Sequence, residues 1–251
     1  MRPIDAHVHI GRWLTPDFSG RESSLADAVA LYSRWNWAGA LLFPTDEGDT
    51  RALADAVAEV RGPLTFRVGF WADPAAEGNL RTLRALLPHL AALKVHTSFT
   101  RTRVNDPAMT PYLEEAGRAG LPVVVHCGRW KEVAGFEHAL SAATAFPEVR
   151  FILSHMGGDS PALVSAALDH IASARLSNVF LGTESIREPW LLERAVDRLG
   201  ANRLVFGSDY NLNHPEPFRR LIEVLDITDS QRTDILRNNI NGLLPPAQRF
   251  F

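Results

Sequence analysis

The chain has 251 residues, with 26 Lys and Arg against 29 Asp and Glu and a formal net charge of −3, a balance that offers no footing for nucleic acid or an anionic membrane surface. No apolar run approaches the ~20 residues of a bilayer-spanning helix, and the first residues read as a buried strand rather than a charged stretch followed by an apolar signal core, so a cytoplasmic protein is expected. Cys127 is the only cysteine, which excludes an intrachain disulfide and suits a reducing compartment, its plain reading being a small buried apolar side chain.

In chain order, short aliphatic or β-branched runs recur at Ile4 to His9, Ala40 to Phe43, Phe66 to Trp71, Leu93 to His96, Val123 to His126, Phe151 to His155, Val179 to Gly182 and Leu204 to Gly207. Most are too apolar to have a solvated face, the pattern of parallel strands covered by helices. The segments between them are amphipathic and have readable ends. Ser24 precedes a stripe of Leu25, Ala28, Val29, Tyr32 and Trp35; Thr110-Pro111 opens a helix that Gly120 closes; Ser160-Pro161 caps and starts a helix carrying Leu163, Ala166, Ala167, His170 and Ile171. No linker, low-complexity tract or charge run divides the chain, so one domain over residues 1–251 is expected. Eight strand–helix units in this length predict an α/β fold, a (β/α)8 TIM-like barrel rather than an open doubly wound sheet.

The polar residues gather where these strands end. His7 and His9 share one face of the first strand, since alternate side chains point the same way; His96 ends the fourth, His126 the fifth and His155 the sixth, with Glu184 after the seventh and Asp209 after the eighth. A lone His-x-His is a cheap match that satisfied structural histidines produce just as well. A closed parallel barrel, however, brings all eight carboxyl ends to one mouth. Histidines so placed, and followed by Gly11, Gly128, Gly157 and Gly158, read as a site rather than as core.

His7-x-His9, Leu93-Lys94-Val95-His96, His126, Ser154-His155 with Gly157-Gly158, Gly207-Ser208-Asp209 and the closing segment Ile235 to Leu243 together resemble the amidohydrolase superfamily. The resemblance is greatest to the amidohydrolase-related branch that includes aminocarboxymuconate semialdehyde decarboxylase, and it spans essentially the whole chain. It implies a distorted barrel of the metal-dependent hydrolase type. It also implies one divalent metal, zinc before manganese or another ion, held by His7, His9, His126 and Asp209 with His155 beside it. Imidazole nitrogens and a carboxylate suit such an ion independently. In that site Asp209 is the expected proton shuttle and His155 the hydrogen-bonding partner of the water or the developing oxyanion.

Lys94 has two readings. It matches the position that carries a metal-bridging carbamate in binuclear members of the superfamily, and with His96 it would then serve a second ion; in the mononuclear branch the same Lys-x-His is an inner charged side chain, and one metal is preferred here. Substrate contacts are expected from Trp13 and Phe18 on the first loop, Trp71, Arg101, Arg103, Arg129, Trp130 and Tyr210. Each arginine could clamp a carboxylate or simply be a solvated loop residue. Glu184 is either a second acid or base at the mouth or the partner of Arg187 or Arg129.

The leading expectation is hydrolysis of an amide, ester or lactone of a small, aromatic or carboxylate-bearing substrate. Decarboxylation of a small unsaturated or aromatic acid is the alternative, with a non-catalytic metal-binding barrel third. The chain is shorter than the decarboxylase pattern, and its first loop has no match to the substrate-clamping arginine of that branch, for which Arg12 or Arg21 would have to substitute. A small-molecule substrate is the expected partner, with a homodimer as the default assembly.

Overall fold

The structure is a computed structural model that describes residues 1–18, 20–46, 49–128 and 130–250. Among the described residues nine strands form one sheet: β1 (Ile4–Arg12), β2 (Glu22–Ser23), β3 (Gly39–Pro44), β4 (Thr65–Ala72), β5 (Leu90–Val95), β6 (Val123–Val125), β7 (Phe151–Leu153), β8 (Val179–Gly182) and β9 (Leu204–Val205). The order is β2-β1-β3-β4-β5-β6-β7-β8-β9. All neighbours from β1 to β9 are parallel, and only the short β2 runs antiparallel to β1. Eight parallel strands were anticipated; β2, only two residues long, lies inside the loop that follows β1.

Both faces of the sheet are covered, as the apolar runs require. Every residue of β3 and β5 is buried, and the helices pack on the outer face through Tyr32, Leu83, Leu113, Val164 and Leu191. A second, inner cluster joins Ile4, Ala6, Leu41, Phe43, Val124, Ile152 and Val205 to Ile240 and Leu243 of the closing helix. Helix ends follow the sequence signals: Ser24 and Asp27 form a reciprocal capping box, Ser160 caps Pro161–Ala174, and Gly120 takes the left-handed conformation, φ 65°, after Thr110–Ala119.

Two features of the strands position the site. Ile4 and Ala6 belong to the inner cluster whereas Val8 belongs to the outer one, and the pairing of β1 with β3 shifts register between Asp5 and Val8. That irregularity changes the alternation and turns His7 and His9 inward. The segment after β9 then runs back along β1: the Ala6 N–H donates to the Phe206 carbonyl at 3.0 Å, the Asp209 N–H to the His7 carbonyl at 2.9 Å, and the His9 N–H to the Tyr210 carbonyl. Val8 and Tyr210 also form a parallel bridge. The first and last parts of the chain thus meet at the histidine pair. No helix among the described residues is long and apolar enough to cross a membrane.

Candidate metal centre

His7 and His9, each 1% exposed, point their Nε2 atoms at one another, 3.1 Å apart. The other nitrogen of each ring is committed. His7 Nδ1 lies 2.8 Å from the Glu184 carboxylate and His9 Nδ1 3.0 Å from the Pro44 carbonyl; both partners only accept, so both Nδ1 atoms carry the proton and both Nε2 atoms present lone pairs. Asp209 Oδ1 stands 3.8 Å from one Nε2 and 3.7 Å from the other. These three residues form a group whose ligand atoms lie within 4.8 Å of one another. Two lone pairs and a carboxylate oxygen converging on one buried point repel each other unless a cation lies between them, so the donor set fits a divalent ion.

The electrostatics of the group agree. Burial, before any neighbour, pulls the His9 imidazole down to about 3, and burial likewise holds His7, His96 and His126 well below the ordinary histidine range, keeping their lone pairs free at neutral pH. For Asp209, burial pushes the carboxyl up, but the surrounding imidazoles and the Lys94 ammonium outweigh it and leave the group below the usual carboxylate value. Lys94 is fully buried, its Nζ 3.0 Å from His7 Nε2 and 3.5 Å from Ser154 Oγ. Burial lowers its ammonium to about 8, against the pull of Asp209 and Glu184.

The other histidines form a second tier. His126 is outside the convergent group: its Nδ1 lies 3.3 Å from His155 Nε2, and its ring stacks on that of His96 with centroids 4.1 Å apart. His96 is in turn stacked on Trp71, and its Nδ1 is buried without a hydrogen-bond partner. Neither His126 nor His155 lies within a strand, because β6 and β7 stop one and two residues earlier. At His155 the cause is plain. Its N–H donates to Glu184 Oε2 at 3.1 Å instead of to a strand, and the chain turns through left-handed conformations at His155 and Met156, φ 56° and 52°.

A cavity of about 830 Å³ opens above the group and is lined by His7, His9, His96, His126, His155 and Asp209. Of the expected substrate contacts, Trp13, Phe18, Arg101 and Trp130 line it. Trp71 faces His96 and His9 from behind and borders a smaller, neighbouring cavity; Arg103 is tied to the Glu132 carbonyl; Tyr210 packs edge-on against Tyr32; Arg129 lies outside the described residues. Sequence reading passed over Phe99, Ile186, Leu191 and Asn213, which also line the cavity. Phe99 carried a usable signal, following His96 by three residues, and its ring lies 4.3 Å from the imidazole. Trp13, Phe18 and Phe99 pack together, with Trp13 stacked on Phe99 at 5.4 Å, and give the cavity one aromatic wall. Glu184, also on the wall, pairs with His7 and His155 rather than with Arg187.

The family model described as amidohydrolase matches residues 4–245. No curated protein matches the chain. Among solved structures the chain is similar to an uncharacterised TIM-barrel protein from Bordetella bronchiseptica, with a TM-score of 0.79 and 18% identity over 99% of each chain. It is also similar to 5-carboxyvanillate decarboxylase LigW from Sphingomonas paucimobilis, with a TM-score of 0.74 and 15% identity over 96% of this chain and 98% of that one. A dihydroxybenzoic acid decarboxylase from a Polaromonas species, solved with manganese and the inhibitor 2-nitroresorcinol, gives 0.73 and 17% over 96% of each. At these identities the likenesses carry the fold.

Proposed function

The chain belongs to the amidohydrolase family, and from that premise we propose that it is a metal-dependent decarboxylase of a small planar acid, aromatic or otherwise unsaturated. The observation that carries this reading is the aromatic wall of Trp13, Phe18 and Phe99 beside the convergent donors of His7, His9 and Asp209. The similar structures whose names state a reaction on an aromatic acid support it. We read the sheet as a (β/α)8 barrel, closed where the segment 206–210 pairs with β1.

His7, His9 and Asp209 would hold the ion, with His126 as the fourth donor, and zinc or manganese suits that set. When bound, such an ion polarises substrate oxygens and lowers the pKa of water beside it. One ion is proposed, with Lys94 as an unmodified amine that donates to His7 when the ion is absent. The aromatic wall would flank the ring of the substrate and keep water from it. Asp209, ionised in the free site, would take up one proton from solvent as the acid binds and deliver it to the carbon that carries the carboxylate. The carbon–carbon bond then breaks, its electron pair remains on the protonated ring, carbon dioxide leaves, and Asp209 is left ionised again. His155, whose Nε2 faces His126 Nδ1 at 3.3 Å, would orient that histidine rather than donate to the substrate.

Hydrolysis of a lactone or amide is the second reading, favoured by the same Asp209, which can equally take a proton from water and pass it to a leaving group. The two are separated by incubating the metal-loaded protein with aromatic acids and with lactones and amides while following carbon dioxide and proton release independently. Carbon dioxide evolution from an aromatic acid is expected. Hydrolysis without carbon dioxide would overturn decarboxylation.

A further inference from the structure

We propose that Glu184 is a positioning residue that sets the proton order of His7, His155 and His126, and that Gly182 and Gly207 are kept free of side chains to seat its carboxylate. The proposal rests on the metal-centre reading above and adds to it the group that aims the lone pairs.

Glu184 is 1% exposed, and the only ion-pairing group near its carboxylate among the described residues is His7. A buried carboxylate with no lysine or arginine within ion-pair distance, the Lys94 ammonium acting on it only from farther away, is expensive to keep. Its hydrogen bonds account for its presence. One oxygen takes the His7 Nδ1 proton at 2.8 Å, the other takes the His155 backbone N–H at 3.1 Å, and the Glu184 carbonyl takes the His155 Nδ1 proton at 3.1 Å. A carbonyl only accepts, so neutral His155 carries its proton on Nδ1 and must accept at Nε2. The atom facing that Nε2 is His126 Nδ1, at 3.3 Å. It therefore donates, and the lone pair of His126 is left on Nε2. One residue thus orders two histidines directly and a third through one of them, leaving a lone pair on Nε2 of both His7 and His126.

The seat of the carboxylate is built into two strand ends. A Cβ placed on Gly182 would overlap both Glu184 carboxylate oxygens, and one placed on Gly207 would lie 2.6 Å from Oε1. Neither glycine has a positive φ, so backbone freedom does not require glycine at either position. Space for Glu184 does.

The test starts from apo protein labelled with ¹⁵N-histidine, using two-bond ¹H–¹⁵N correlation to assign ring tautomers. His7, His155 and His126 are expected as Nδ1–H forms. In Glu184→Gln the amide offers one accepting oxygen where the carboxylate offered two, so His7 is expected to lose its single tautomer, and zinc affinity, measured by competition with a chromophoric chelator, is expected to fall about 10- to 100-fold. Gly182→Ala, which keeps the carboxylate but displaces it, is expected to act in the same direction. Wild-type His155 in the Nε2–H form overturns the proposal without any variant. So does a folded Glu184→Gln that keeps the His7 tautomer and binds zinc within twofold of wild type. Failure of wild type to bind zinc would instead sink the metal-centre reading, and the apo tautomers would still judge Glu184.

Discussion

Replacing Tyr32 by Phe tests how the site is tied to the helical layer. The Tyr32 hydroxyl donates to Asp5 Oδ2 at 2.7 Å, and both residues are fully buried. The other oxygen, Asp5 Oδ1, accepts the Ser208 N–H at 3.0 Å and the His7 N–H at 3.2 Å. Asp5 therefore joins three elements: the helix Leu25–Arg34, β1, and the turn that carries Asp209. Tyr32→Phe keeps the ring and its packing and removes one donor from a buried carboxylate, a loss of about 1.5–3 kcal/mol for a hydrogen bond to a charged group. At roughly 2–4 °C per kcal/mol for a chain of this size, the melting temperature should fall by about 3–12 °C. Differential scanning calorimetry of the apo protein at neutral pH measures this directly. A fall below about 1 °C would refute the reasoning, because the two backbone donors and the Ser208 hydroxyl would then satisfy Asp5.

Asp209→Asn should abolish turnover and weaken metal binding while leaving the circular dichroism spectrum and melting temperature near wild type; retained activity would remove Asp209 from the proton-transfer role. Glu115 is held below the usual carboxylate range first by the Arg84 guanidinium, 2.7 Å away, and further by Arg118. Its folded value lies below its unfolded one, so its stabilising contribution is present above the unfolded pKa, near 4, and is lost as pH falls through the folded value. Glu115→Gln should therefore lower the melting temperature at pH 7 and approach wild type progressively as the pH falls below about 4, as thermal scans across that range would show. Cys127 is fully buried, its thiol donating weakly to the Val125 carbonyl, so a thiol reagent at pH 8 should find no cysteine in the folded protein and one equivalent after denaturation. Phe99→Ala removes the face on which Trp13 stacks and should raise KM for a planar acid more than it lowers kcat; equal losses in both would assign Phe99 to the chemistry instead.

Much of the architecture was legible because its signals are local. Apolar runs too continuous for a solvated face mark β3 and β5, and Ser24, Gly120 and Ser160 mark helix ends because unpaired N–H groups and left-handed turns demand those residue types. The list of strand-end histidines was legible for the same reason. Their individual roles were not. Trp71 and Arg103 sit on the expected segments, yet one faces the back of His96 and the other a backbone carbonyl, and loop sequences do not encode such directions. Glu184 offered two sequence readings, and its partners proved to be His7 and His155.

By itself the sequence determined which residues stand where strands end, because hydrophobic period and capping chemistry act over a few neighbouring positions. Only the tertiary structure decided which of them meet. His7 turns inward because β1 shifts register between Asp5 and Val8. Asp209 reaches it because residues 206–210 hydrogen-bond back to the first strand. His126 aligns with His155 because a left-handed turn and the Glu184 carbonyl orient the second ring. Those outcomes depend on contacts between residues as many as two hundred positions apart, and no local pattern in the chain records them.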